Sequence, residues 1–471
     1  MTEVRELFET VIKNNYCIGC GACASVKDSP FEIKMNEYGN LVAFADEDEL
    51  DNSNAKVLNI CPFSEKSKNE DLLGKEYFPN NKVEDHMLGK YLSCYAGYVV
   101  DGEFRKQGGS GGMGKWLGYT LLEKDMIDYF IQVAPNMKKK VDDHLFEYKI
   151  FTNYNDIVAG SKSAYYPTTL FDVINFVKKN EGRYAITGVP CFIKTLRLIG
   201  IENSEFRERI KYTIGIICGG MKSANQASII GMQMGVSPKD LTGIDFRRKF
   251  EDMPAYRKTY QVWSRKDKIE RYEEESRLYG TDWGIGFFKP MACEFCDDVV
   301  GETADISLGD AWLPKYSSDP KGTNVVIVRN RELQKLLEEA NEHKSISIEP
   351  LTSEEVVQSQ AGGFRHRREA LSVRIANKES QNKWYPPKRI NKIDYKISKK
   401  RHKIYNLRET ISQNSHIAAL DAIQKKDFSL FKAKMDPFLI QYNNLNKPTF
   451  FDKLNRLLRD TVKRFFSFFD K

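Results

Sequence analysis

Three consecutive stretches decide the fold: Cys94-Tyr-Ala-Gly-Tyr-Val-Val100, then Gln107-Gly-Gly-Ser-Gly-Gly-Met-Gly-Lys115, then the run from Lys115 to Glu123. The first has the composition of a β-strand, the second is a glycine-rich loop, and the third is spaced like a helix. A strand, a loop and a helix in that order predict the opening of an α/β unit. The alternation continues downstream. Asp128–Ala134 and Glu147–Phe151 read as strands, and Thr169–Lys178 as a helix with Leu170, Val173 and Phe176 on one stripe. Tyr184–Thr187 and Tyr212–Cys218 read as strands, Ala224–Met234 as a helix, and Thr323–Arg329 with Leu333–Ala340 as a last strand–helix pair. The expectation is a mixed α/β domain rather than one clean parallel sheet.

Around this central region, 92–372, the chain changes character. Residues 1–78 hold four cysteines and short β-like runs such as Leu41–Phe44. Pro79 to Lys90 is polar and reads as a linker. Residues 373–449 are polar and helix-prone, and 450–471 form a distinct terminal segment.

A chain of 471 residues with 41% apolar and 29% charged residues has ample material for a core, so whole-chain disorder is excluded. No apolar run is long enough for a membrane-spanning helix. Met1 to Tyr16 is polar and carries Glu3, Glu6 and Glu9, which predicts no signal peptide and a cytoplasmic location. The net charge of +7 is uneven: Pro386 to Lys471 holds 20 Lys+Arg against 8 Asp+Glu, leaving the body slightly acidic. That distribution argues against a nucleic-acid enzyme.

The nine cysteines carry the strongest chemical signal. Cys17-Ile-Gly-Cys20-Gly-Ala-Cys23 offers three thiolates at two-residue spacing, on a loop whose glycines let amides face an inorganic core. In two-cluster ferredoxins a fourth cysteine follows three residues later, before a proline. Lys27 stands there, and Cys61-Pro62 supplies the missing pair, so Cys17, Cys20, Cys23 and Cys61 are assigned one 4Fe-4S cluster. A zinc site on the same four thiolates is the alternative. Cys293-Glu-Phe-Cys296 is a second two-residue spacing. Cys191, straight after a strand, and Cys218, at a strand end, could converge with it on a second four-thiolate site. Equally, both could be packing cysteines. Cys94 reads as core.

Gly109 to Lys115 almost fits a phosphate-binding loop, but Trp116 replaces the hydroxyl that would bind magnesium. The loop still suits a phosphate or pyrophosphate at a helix N-terminus, with a ligand-free loop as the alternative. The six histidines show no ligand spacing, and no nucleophile elbow appears, so a hydrolase has no support.

Seven of these pieces stand in one order. They are Gly108-Gly-Ser-Gly-Gly112 with Asp128 after its helix, Ser161-Lys-Ser-Ala-Tyr-Tyr-Pro167, Thr187-Gly-Val-Pro-Cys191, Cys218-Gly-Gly220, Asp245-Phe-Arg-Arg248, Cys293-x2-Cys296 and Ala304-Asp-Ile-Ser-Leu-Gly-Asp-Ala-Trp312. In that order they resemble the beta subunit of coenzyme F(420) hydrogenases and dehydrogenases, over roughly Cys94 to Arg329, with a ferredoxin-like front end. The resemblance implies a small N-terminal ferredoxin-like domain (1–78) and a central mixed-sheet flavin domain (92–372), and the polar, helix-prone sequence after them predicts a helical C-terminal extension (373–449). It implies a second 4Fe-4S cluster on Cys191, Cys218, Cys293 and Cys296. It also implies FAD on the glycine loop, with Gly109, Ser110, Gly111, Gly112, Ser161, Lys162, Thr187 and Gly188 as contacts. Arg247 and Arg248 then hold either an acidic group or nothing, and Asp310 and Trp312 serve either the site or strand-end packing.

Such a chain would take single electrons from a ferredoxin-like donor and deliver two to a small molecule or a deazaflavin coenzyme. The hydride can come from the flavin, so no protein acid or base is required. The alternative is a non-catalytic electron-transfer subunit. The family's archaeal hydrogenase subunits are shorter, and this chain has about a hundred extra C-terminal residues, which puts coenzyme F(420) itself in doubt as substrate. Finally, Phe451, Leu454, Leu457, Leu458, Val462, Phe465, Phe468 and Phe469 make one stripe of a helix over 450–471, with Lys453, Arg456, Arg459, Lys463 and Arg464 opposite. Peripheral membrane contact and docking on protein are both open for it.

Overall fold

The computed structural model describes residues 1–136, 144–160, 162–250, 252–266, 270–390 and 395–447. The terminal stripe expected over 450–471 and Ser161 lie outside the described residues.

At the front of the chain, the helix Glu3–Leu7 and the widened turn Phe8–Ile12 bury Val4, Leu7 and Val11. The cysteine loop follows, and the antiparallel hairpin of β1 (Glu32–Met35) and β2 (Leu41–Phe44) closes over it. The stretch expected as a polar linker is structured. Within it β3 (Val83–Asp85) and β4 (Gly89–Tyr91) pair as a hairpin. The Asp85 carboxylate accepts the N–H groups of Met87 and Leu88, and Gly89 takes φ +68°, so turn chemistry shapes this segment despite its polarity.

Eight strands form the central sheet: β5 (Ser93–Val99), β6 (Tyr129–Pro135), β7 (Phe146–Phe151), β8 (Tyr184–Gly188), β9 (Ile210–Ile216) and, after a separate antiparallel sheet of β10 (Leu241–Arg248), β11 (Thr259–Ser264) and β12 (Glu270–Glu274), also β13 (Ile306–Asp310), β14 (Asn324–Val328) and β15 (Ile346–Pro350). Their order is β15-β5-β14-β13-β9-β8-β6-β7. β6, β8, β9 and β13 are mutually parallel, and antiparallel strands flank them on both sides. Every residue of β8 is buried, as a strand covered on both faces requires. Alternate residues go to opposite faces: Phe130 and Ala185 pack with Leu117 and Leu121 of the helix Met113–Glu123, while Ile131 and Ile186 pack with Phe192 and Leu196. The second face also receives Val11, Tyr16, Ile18 and Phe63, so the N-terminal region shares a core with the sheet.

Cys191 sits in the first turn of the helix Pro190–Glu202 rather than in a loop. Pro190 opens this helix with a preset φ. The C-terminal region is helical. Ala370–Ser380 is followed by the pair Lys399–Lys425 and Phe428–Asn446, which pack around Phe287 and Phe288. The fold is mixed α/β, with a large mixed sheet and a helical C-terminal region. No described helix is long and apolar enough to cross a membrane.

Candidate redox site

The structure gathers the eight cysteines into two sets. Cys17, Cys20, Cys23 and Cys61 line one small cavity whose other walls are apolar, among them Leu7, Val11, Ile33 and Phe63. Gly19 and Gly21 hold φ of +63° and +88° in the loop, and a Cβ on Gly19 would stand 2.5 Å from the Leu41 carbonyl oxygen. Only glycine permits this turn. The amides of Gly19 and Ala43 donate to Cys17 Sγ at 3.4 and 3.3 Å.

The second set forms where three segments meet. Cys191 comes from the helix start, Cys218 from just beyond β9, and Cys293 and Cys296 from the short turn Met291–Glu294 and the residues after it. Gly220 N–H donates to Cys218 Sγ and Met221 N–H to Cys293 Sγ, each at 3.3 Å. Burial pushes the Cys17 thiol up to about 11 and Cys293 up to about 12, and burial together with the neighbouring cysteines raises Cys23 and Cys191 well above the ordinary thiol range. Four adjacent buried thiolates repel one another, so each set needs a cationic group at its centre before it can ionise. Four cysteines in each set, with backbone amides donating to their sulfurs, fit a polynuclear iron–sulfur cluster.

A cavity of ≈ 270 Å³ opens at the carboxyl ends of β8, β9 and β13. Ligands of α/β sheets bind at this edge because the loops there diverge. Gly109, Ser110, Gly112, Lys162, Thr187 and Gly188 line it, as does the Cys218–Met221 segment. Gly112 takes φ +86° and opens the helix Met113–Glu123; Asn324 Oδ1 accepts from Met113 N–H at 3.2 Å, leaving the following first-turn amides for an anion. Gly111 is placed differently. Its carbonyl accepts from Val99 N–H at 2.9 Å, and a Cβ there would stand 2.7 Å from the Gly97 carbonyl oxygen. It packs the loop against the sheet and does not line the cavity.

Three basic side chains hold the loop from outside. Lys115 donates to the carbonyls of Gln107, Val158 and Gly160 at 2.7–3.0 Å, so the lysine of the near-phosphate-loop pattern is structural. Lys249 donates to the carbonyls of Arg105, Ser110 and Lys321. Arg247 reaches both oxygens of Asp310 at 2.8 and 3.3 Å and donates to Gly109 O at 2.9 Å. Arg247 is therefore buried and partnered, while Arg248 is half-buried and donates to Gln261. Lys162 pairs with Asp245 at 2.9 Å.

Tyr148, Trp283 and Asn324 also line the cavity, and nothing in the sequence reading singled them out. Trp283 meets Tyr165 edge-on at 4.7 Å, and Tyr148 stacks on Phe192 at 6.2 Å. Their signal was weak because isolated aromatics in loops and strands are ordinary core residues. Cys94 is buried in β5 as expected.

Comparison with curated proteins gives no match. A chain of the F(420)-reducing nickel–iron hydrogenase complex from Methanosarcina barkeri, solved with xenon, is similar at 17% identity and a TM-score of 0.48, covering 64% of this chain and 98% of that one. Two family models match consecutive stretches that together span more than half of the chain. These are the beta subunit N-terminal model of coenzyme F(420) hydrogenase/dehydrogenase over residues 94–175, and the C-terminal model over 181–354. The ordered motifs, the cysteine sets and these matches agree: the chain belongs to the coenzyme F(420) hydrogenase/dehydrogenase beta subunit family, a family of redox subunits.

Proposed function

We propose that the protein is a flavin- and iron–sulfur-dependent oxidoreductase. Single electrons from a ferredoxin-like donor enter at Cys17, Cys20, Cys23 and Cys61, pass to Cys191, Cys218, Cys293 and Cys296, and reach FAD in the cavity for two-electron reduction of an organic substrate or deazaflavin coenzyme. The observation that carries this reading is the helix Pro190–Glu202. Cys191 lies in its first turn. One turn on, Thr195 donates to the Cys191 carbonyl at 2.9 Å and lies within hydrogen-bond reach of the Cys20 thiol. One turn rises about 5.4 Å, so the two sets are near neighbours. Cys218 in turn begins the segment that walls the cavity.

When bound, 4Fe-4S clusters carry electrons singly and FAD stores two, which together convert one-electron supply into two-electron reduction. The protein's own part is positioning. Amides of Gly19, Ala43, Gly220 and Met221 stabilise ionised sulfur. The first-turn amides after Met113 and the loop around Gly109 offer N–H groups to a diphosphate, and the Arg247–Asp310 pair and Lys249 fix that loop.

Anaerobically isolated protein should hold about eight iron and about eight sulfide per chain with one FAD. Cys61→Ala and Cys191→Ala should each remove about half of the iron and leave the flavin. Zinc without sulfide, or FMN in place of FAD, would overturn the assignment. The beta-subunit character of the family favours one alternative, an electron-transfer subunit without its own substrate site. A coloured chain that is inert with every acceptor until a second polypeptide is added would establish it.

A further inference from the structure

Residues Arg365–Glu369 are wound as a π-turn, and they lie outside both stretches matched by the family models. Widened turns of this kind recur at functional sites. This one buries His366, Arg367 and Arg368 side by side. Two of the three meet a carboxylate. His366 Nε2 lies 3.3 Å from Glu294, and Arg368 pairs with Glu302 at 3.0 Å. Arg374, one helix further, pairs with Glu294 at 3.0 Å.

Arg367 differs. It is 2% exposed, and among the described residues no carboxylate lies within ion-pair distance of it. One terminal nitrogen donates to the Cys218 carbonyl at 3.0 Å, and its Nε is buried with no hydrogen-bond partner. That bond to Cys218 seats the guanidinium beside the second cysteine set. A buried guanidinium without a counter-ion is strongly unfavourable. The four cysteines of that set are anionic when they hold a metal cluster.

We propose that Arg367 is the buried counter-ion of the second cluster and sets its reduction potential above that of the first. This rests on the assignment of a 4Fe-4S cluster to Cys191, Cys218, Cys293 and Cys296. Reduction adds one electron, and therefore one negative charge, to a centre that four thiolates already make anionic. A fixed cation beside it favours the reduced form. The cavity of the first set has no charged side chain in its wall. The potential difference then draws electrons from the first cluster to the second and on toward the flavin cavity.

The test is an anaerobic redox titration of the full-length holoprotein with dithionite as reductant, followed by EPR, on wild type, Arg367→Gln and Arg367→Lys. Wild type holding fewer than about eight iron, or no sulfide, defeats the two-cluster reading itself. With both clusters present, Arg367→Gln should lower the reduced-to-oxidised ratio of one cluster at least tenfold at fixed potential, a shift of about 59 mV for one electron. The other cluster should not move, and Arg367→Lys should recover most of the shift. If Arg367→Gln loses the second cluster's iron while Arg367→Lys keeps it, the charge requirement stands. Unchanged potentials in a fully loaded Arg367→Gln, or equal loss of iron from the Gln and Lys variants, would overturn the proposal.

Discussion

Cys17, Cys20 and Cys23 fall within one seven-residue loop, whereas Cys191, Cys218 and the pair Cys293 and Cys296 reach their site from a helix start, a strand end and a short turn. Three members of the first set are shaped by local backbone, two glycines at positive φ and the Gly19 amide on sulfur, with Cys61 and the Ala43 amide brought in from further along the chain. The second depends on the whole sheet, because β8 and β9 must lie side by side before Cys191 and Cys218 can meet. Their surroundings differ as much as their construction. Apolar side chains wall the first set, while a buried arginine faces the second. A locally built, apolar site suits electron entry, and a site held by the sheet and flanked by a cation suits delivery into the cavity beside it.

The sharpest way to break this contrast is Cys191→Ala. It should drop electron transfer from a reduced ferredoxin to the flavin to background, measured by stopped-flow absorbance, while the first cluster and the flavin remain. Transfer at the wild-type rate would show that electrons bypass the second set. Next in size is Asp310→Ala. It leaves Arg247 buried without its partner, which costs about 3–5 kcal/mol, and frees the loop at Gly109. Thermal melting and flavin content should fall together, with iron unchanged.

Gly21→Ala probes the local site. The residue holds φ +88°, and a Cβ would stand 2.7 Å from the Phe171 amide nitrogen, so strain of about 1–3 kcal/mol should appear there. Iron should drop toward the level of Cys61→Ala with the second cluster's EPR signal intact.

The smallest effect concerns pH. Burial, with Arg247 and Lys162 nearby, pushes Lys249 down to about 7. Between that value and the ordinary lysine range, the unfolded chain holds a proton that the folded chain has released. Stability therefore climbs as pH rises from about 7, by no more than about 1.4 kcal/mol per pH unit. Melting curves of Lys249→Met between neutral and mildly alkaline pH should lack that slope.

The same contrast governs what the sequence made legible. Three cysteines of the first set lie in one short run, so spacing suggested them, and the proline after Cys61 suggested the fourth. The strands from β5 to β9, and the helix after the glycine loop, carried clear periodicity. The helix Pro190–Glu202 did not, because it is buried on nearly all sides and shows no polar face. Nor did β12, whose Glu-Arg-Tyr-Glu-Glu sequence offers no alternation of apolar residues. Gly111 was expected to face a ligand because glycine loops often do, but only the position of Gly97 shows that it faces the sheet. Arg367 reads in sequence as one of several basic residues in Arg365-His-Arg-Arg368, and only the folded chain separates it from its paired neighbours.

The most direct test of two adjacent clusters bridged by one helix is the EPR spectrum of the fully reduced holoprotein, compared with those of Cys61→Ala and Cys191→Ala. Two reduced clusters on neighbouring cysteine sets should couple magnetically, giving a broadened, split signal. That signal should collapse to a simple single-cluster spectrum in either variant. A wild-type spectrum equal to the sum of the two variants, or identical to one of them, would contradict the account.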